Sequence, residues 1–307
     1  SLFFLCKKKI KNVLNFYTLE SDYQSIYSVV IRFLFISVFY MTKFFTIILS
    51  IFCGNAALAQ GYFQQKVNFD IKARLDDQKH FLTADIAMKY THNGTDTLSE
   101  IWFHLWANAH KSRSSTAMAQ QFTDKGKLDW YFSKDEALGG YTELAFFQNG
   151  AQLAITYDPV HGDICKVMLA QPLLPSATIT IRITATLKIP YAISRIGHVG
   201  QDYSMTQWYP KPAVYDLQGW HTFPYMDQGE FFSEFGDYEV DLTLPENYVV
   251  AATGVLESQE ELLFLKHKAS ATQKALADNL SPASIPIKSA DKFKTIHYRA
   301  SQVHDFA

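Results

Sequence analysis

The chain has 307 residues, 48% apolar and 19% charged, with 28 Lys/Arg against 30 Asp/Glu. That length is enough to bury an apolar core, and that balance lacks the basic footprint of a nucleic-acid binder.

The first methionine is Met41. It is followed by Lys43, an apolar run over 44–53 and Ala57-Leu58-Ala59 before Gln60. That is the layout of a secretory signal peptide over 41–59, which implies a secreted or periplasmic product. Residues 1–40, dense in Phe, Ile, Lys and Tyr and lacking turn chemistry, read as a non-native upstream extension. A single membrane span over 29–52 is the rival reading, but Arg32 and Lys43 would then cost about 2.5 kcal/mol or more each. No stable span is expected once the signal is cleaved. Cys53 follows Phe52, where a lipidation signal requires a small residue. Residues 1–59 hold six Lys/Arg and two Asp/Glu, so residues 60–307 carry 22 basic against 28 acidic groups, a net of −6. Only Cys165 remains there, so no intramolecular disulfide supports the fold.

From residue 60 onward the dominant period is two. Val67, Phe69, Ile71, Ala73 and Leu75 alternate with polar residues, as do Leu82, Ala84, Ile86, Met88 and Tyr90, and the run Ile179, Ile181, Ile183, Ala185, Leu187, Ile189. These predict half-buried antiparallel strands. Further strands are predicted over 101–106, 153–157, 164–169, 238–244, 248–253 and 295–300, with Asn93-Gly94 as a turn. The fold class is therefore all-β, an antiparallel sandwich or saddle over 60–307. One insertion interrupts it over 257–292: Ser258 and Glu261 form a capping box that opens a helix, followed by a loop over 281–289. Residues 208–235 follow neither period, and a long ordered loop in a compact domain is usually functional. The carboxylates Asp227, Glu230, Glu234 and Asp237 read as a solvated group in or beside it. The ten histidines show no i, i+4 pair on a helix and read as structural or surface residues.

Three segments carry a resemblance: Thr206-Gln207-Trp208-Tyr209-Pro210, Phe223-Pro224-Tyr225-Met226-Asp227-Gln228, and the stretch from Pro245 through Tyr248 to Gly254. Ile101-Trp102-Phe103-His104-Leu105-Trp106-Ala107-Asn108-Ala109 precedes them. In this order they resemble the amino-terminal β domain of the membrane alanyl aminopeptidase family of zinc metallopeptidases, in its secreted bacterial branch. The resemblance implies a substrate-cleft domain whose partners are a downstream catalytic domain and a peptide substrate. It implies zinc in the complete protein, bound by a His-Glu-x-x-His helix and further ligands that lie outside this sequence. This chain is then catalytically incomplete, without catalytic or metal-ligating residues of its own. By the same resemblance Gln207, Tyr209, Asp227 and Glu230 are the substrate-binding residues. In better-known members the position of Tyr209 is a Glu or Gln that holds the substrate's α-amine, so amine capture moves to Asp227 or Glu230. A domain that packs against a catalytic partner is expected to expose aromatic rings, here those of Trp208, Tyr209, Trp220, Phe223 and Tyr225. The alternative function is a non-enzymatic β-sandwich module that binds peptide or carbohydrate through those aromatics.

Overall fold

The computed structural model describes residues 62–125, 128, 130–229, 231–277 and 288–307, with five further positions of a helical stretch between 37 and 43. The chain divides into two units, 1–62 and 63–307, and the second is the β domain. The apolar run and cleavage signal of the predicted signal peptide, and most of the predicted 281–289 loop, lie outside the described residues. Among the described residues no helix is long and apolar enough to cross a membrane.

The strands are β1 (Lys66–Asp76), β2 (Phe81–Thr91), β3 (Leu98–His104), β4 (Gly140–Gln148), β5 (Ala151–Gln152), β6 (Ile155–Tyr157), β7 (Ile164–Leu173) and β8 (Thr178–Lys188). They continue as β9 (Gly197–Val199), β10 (Asp202–Ser204), β11 (Lys211–Pro212), β12 (Val214–Asp216), β13 (Gly219–His221), β14 (Gly236–Pro245), β15 (Val255–Leu256) and β16 (Phe293–Val303). Helices α1 (Thr116–Lys125) and α2 (Gln259–Ala277) and a 3₁₀ turn at Trp106–His110 complete the frame.

An eight-stranded sheet, β15-β16-β14-β1-β2-β8-β4-β5, packs on a four-stranded sheet, β11-β3-β7-β6. The period-two residues explain the layering. Val67, Phe69, Ile71 and Ala73 of β1, Ile86, Met88 and Tyr90 of β2, and Ile181, Ile183 and Leu187 of β8 all point into one core. Ile101 and Phe103 of β3 and Cys165 and Val167 of β7 meet them from the other sheet. Burial of side chains this size stabilises by about 1.5–3 kcal/mol each. The all-β sandwich read from the alternation is the architecture observed.

Four local expectations change. β1 and β14 pair in parallel, Phe69 opposite Tyr238 through Arg74 opposite Thr243. No hairpin ties their directions, because most of the domain lies between them in the chain. The predicted 248–253 strand makes no ladder. The Tyr248 carbonyl instead accepts Lys294 Nζ at 2.7 Å and the Val250 carbonyl accepts the Tyr298 hydroxyl at 3.1 Å, while the edge beside β16 goes to β15. β3 ends at His104, and Trp106 starts the 3₁₀ turn because Leu105 N–H leaves the ladder for the Asp163 carbonyl at 2.7 Å. Finally, β4 and α1 lack a clean period in the sequence; β4 carries buried Tyr141, Phe146 and Gln148 with polar residues irregularly placed between them.

The insertion begins as predicted. Glu261 N–H donates to Ser258 Oγ at 3.3 Å, and Glu261 also accepts Lys294 Nζ at 2.7 Å, pinning α2 to β16. Gly236 permits the closest approach in the sheet: a Cβ there would lie 1.6 Å from the Val67 carbonyl oxygen.

Candidate functional site

The segment from Thr206 to Lys211 enters the core edge with Gln207 in the left-handed region at φ 48°. A non-glycine residue stays there only when its surroundings hold it. They do: Gln207 Nε2 donates to Asp305 Oδ2 at 3.0 Å, and the Tyr209 hydroxyl donates to Asp305 Oδ1 at 2.9 Å. Tyr209 also lies 3.0 Å from the Tyr238 hydroxyl, and Phe306 N–H donates to Asp305 Oδ1 at 2.9 Å. β11 pairs Lys211 with His104 and so carries the ammonium inward. Lys211 is 2% exposed, donates to the His304 carbonyl at 2.5 Å, and lies 3.2 Å from Asp305 Oδ1. Burial lowers its pKa, against the pull of Asp305 in the other direction. The faces of Trp106 and Tyr209 lie 5.7 and 5.8 Å from Nζ, within cation–π range. Asp305 is thus the hub of a buried polar knot.

Beside the knot stands an aromatic wall. His104 stacks on Trp106 at 4.6 Å, and Phe231 packs on both Trp106 at 4.5 Å and Tyr225 at 5.4 Å. The Arg195 guanidinium lies 5.2 Å over Phe231. Burial drives the His104 imidazole down to about 3, with the charge of Lys211 adding to it, and drives His110 down to about 4. Both rings are neutral apolar packing at physiological pH. Asp227 closes the far end: its N–H donates to Gln120 Oε1 at 2.8 Å, and its Oδ1 accepts Ser194 Oγ at 3.2 Å and the Gln121 amide.

Two of the predicted substrate-binding residues, Gln207 and Tyr209, therefore share one partner, Asp305. Asp227 belongs to a separate set, and Glu230 lies outside the described residues. The two sets meet through neighbouring residues: Ser194 bonds Asp227, while the Arg195 carbonyl accepts Thr206 Oγ1 at 3.0 Å.

The expected exposed aromatic cluster is corrected. Trp208, Tyr209 and Tyr225 are 3%, 1% and 1% exposed, and they divide between two cores, while Trp220 and Phe223 are half-buried. The tyrosine hydroxyls explain why: each finds an internal partner, so the rings can sink. Exposed rings gather instead at Phe122, Tyr131 and Phe132. Sequence reasoning also passed over Lys211 and Asp305. The available signal was a lysine flanked by two prolines among aromatics, an unusual setting for a solvated side chain.

Glu234 departs from the solvated group it was assigned to. It is 4% exposed, and neither carboxyl oxygen has a well-aligned donor. Burial raises its pKa to about 7; the nearby N–H groups of Gln65 and Tyr215 offset this only in part. Tyr90 Oη and Ser233 Oγ are likewise buried without partners.

Among the described residues no three His, Cys, Asp or Glu side chains lie close enough together to hold a metal ion. No family model matches the chain, and no curated protein matches it. Among solved structures it is similar to an M1 zinc metallopeptidase from Deinococcus radiodurans, with TM-score 0.37 and 13% identity over 77% of this chain and 39% of that one. It is similar too to a two-domain M1 zinc metallopeptidase mutant bound to L-arginine, with TM-score 0.37 and 12% identity over 77% of this chain and 39% of that one. The chain thus spans about 39% of the length of these structures. A likeness at that score and identity does not define the family of this chain.

Proposed function

We propose that residues 63–307 form the amino-terminal, substrate-cleft domain of a secreted or periplasmic zinc metallopeptidase that cleaves peptides at or near their amino ends. In this reading the zinc, its ligands and the proton-transferring carboxylate belong to a catalytic domain encoded beyond Ala307. The observation that carries it is the convergence of motif segments: Thr206-Gln207 and Asp227, twenty residues apart, are tied to one short stretch, Ser194-Arg195, and bracket one aromatic wall.

At the two ends of that wall Gln207 and Asp227 carry the substrate contacts. Tyr209, with its hydroxyl committed to Asp305 and its ring in the core, acts as a positioning residue for Gln207. A phenol at this position supplies no formal charge, so the ammonium of the substrate pairs with a carboxylate elsewhere in the chain, and Asp227 or Glu230 is that group. Peptide specificity then rests on the shape of the aromatic wall rather than on a charge at position 209.

The test uses the polypeptide that includes the downstream domain. Gln207→Asn keeps a residue tolerant of positive φ but withdraws the amide by one methylene. KM for a short unblocked peptide is expected to rise roughly three- to tenfold, the value of one hydrogen bond, with kcat unchanged and Tm lowered by loss of the bond to Asp305 Oδ2. Unchanged KM would remove Gln207 from the substrate site.

A further inference from the structure

The sequence contains the dipeptide Asn-Gly at Asn93-Gly94 and at Asn149-Gly150, and the fold holds the two copies differently. Asn93 is tied down twice: its N–H donates to Gln65 Oε1 at 2.7 Å, and its Nδ2 donates to the Gln64 carbonyl at 2.7 Å. Gly94 is buried, and a Cβ there would lie 2.6 Å from His92 Cε1 and 3.1 Å from Phe63 Cζ. The peptide between these two residues has little room to turn. Asn149-Gly150 is the tight turn that joins β4 to β5. Both residues are exposed and left-handed, at φ 51° and 82°, and beyond the chain neighbours no heavy atom lies within 4 Å of where a Gly150 Cβ would stand. At the edge of the sheet β5 is held by the pairs Phe147–Gln152 and Gln148–Ala151 and by the Leu153 N–H on the Phe146 carbonyl at 2.8 Å. So short a ladder opens at little cost.

Asparagine is a labile residue because its side-chain amide carbon is an electrophile within reach of the next backbone nitrogen. Glycine in that next place leaves the nitrogen unshielded and the backbone free to bring it round. We propose that Asn149 is a modification site, converted in the folded chain to aspartate and isoaspartate without any enzyme, while the fold protects Asn93 from the same reaction. Opening of the β4–β5 turn lets the Gly150 nitrogen, its proton lost to base, attack Asn149 Cγ. The new N–C bond forms, the bond from Cγ to the side-chain nitrogen breaks, and ammonia leaves. Water then opens the cyclic imide at either carbonyl, giving aspartate or an isoaspartate whose main chain runs through Cβ. Either product adds a negative charge at the turn. Isoaspartate also lengthens a turn whose length sets the register, so β5 leaves β4; both β5 residues are exposed, and the core loses nothing. The reaction does not depend on the peptidase reading.

The test incubates the 307-residue chain at pH 8, folded and in guanidinium chloride, and follows two tryptic peptides by mass and elution: 135–166 and 90–111, each of which holds one Asn-Gly pair. In guanidinium chloride both pairs are expected to convert at similar rates, each splitting into an aspartate and an isoaspartate form. In the folded chain 135–166 is expected to convert roughly tenfold faster than 90–111, since reaction at Asn93 must first break two hydrogen bonds. Amide hydrogen exchange should quicken at Ala151 and Gln152 in the isoaspartate form and stay unchanged elsewhere. Equal rates for the two peptides in the folded chain, or a 135–166 peptide that stays intact while the chain is folded, would overturn the proposal.

Discussion

Glu234→Gln is expected to make the domain more stable above neutral pH and to remove the share of the pH dependence that Glu234 contributes. Glu234 titrates from an ordinary value of 4.5 when unfolded to about 7 when folded. Its folded pKa is raised, so between these values the native state holds a proton that the unfolded chain has released. Its contribution to stability is therefore fully present below about 4.5 and is lost as pH rises through about 7. At about 1.4 kcal/mol for each tenfold difference in proton affinity, the loss is about 3 kcal/mol. Gln keeps the shape and carries no ionisation cost, so urea titrations should show the variant gaining roughly 2–3 kcal/mol on the wild type between pH 5 and pH 8, a difference from which the shared contributions of His104 and His110 cancel. A difference between variant and wild type that is the same at pH 5 and pH 8 would show that Glu234 is solvated.

The second large effect is at the Lys211–Asp305 pair, and it is asymmetric. Removing one partner of a buried pair costs about 3–5 kcal/mol because the other charge is left without compensation. Asp305→Ala leaves the ammonium of Lys211, 2% exposed, with the His304 carbonyl as its remaining close acceptor. Lys211→Met leaves Asp305 with three donors: Gln207 Nε2, Tyr209 Oη and Phe306 N. Asp305→Ala should therefore lie at the upper end of that range and Lys211→Met at or below the lower end. The double variant Lys211→Met/Asp305→Ala should recover part of the loss, as a double-mutant cycle measures. Equal single effects with no coupling would mean that the pair is solvated.

The layers of this fold were legible because they are written as alternation. Val67 to Leu75, Leu82 to Tyr90 and Ile179 to Ile189 each place apolar residues on one face, and one buried face fixes the register. The parallel pairing of β14 with β1 was not, since periodicity names a face and not a neighbour. Residues 248–253 carry the composition of a strand, but strand composition cannot say whether an edge will be offered. Here the β16 side chains Lys294 and Tyr298 take the carbonyls that a ladder would have used.

In the candidate site the local motifs were readable and their partners were not. Gln207 and Tyr209 stand out by resemblance, whereas Asp305 lies almost a hundred residues away and becomes visible only when the chain folds. The same limit misassigned the aromatics: a sequence rich in Trp and Tyr between 208 and 225 does not reveal that the tyrosine hydroxyls find buried acceptors. Glu234 was grouped with nearby carboxylates, and only the fold separates it from the solvated Asp237, which pairs with Ser301 at 2.7 Å.

The most direct test of the functional reading is the activity of the polypeptide encoded by this reading frame extended past Ala307. Purified and loaded with zinc, it is expected to contain a His-Glu-x-x-His segment, to hold one zinc ion per chain, and to release amino acids from unblocked peptides in a reaction abolished by chelation. A reading frame without that segment, or a zinc-loaded product that leaves unblocked peptides intact, would contradict the account and favour a binding module.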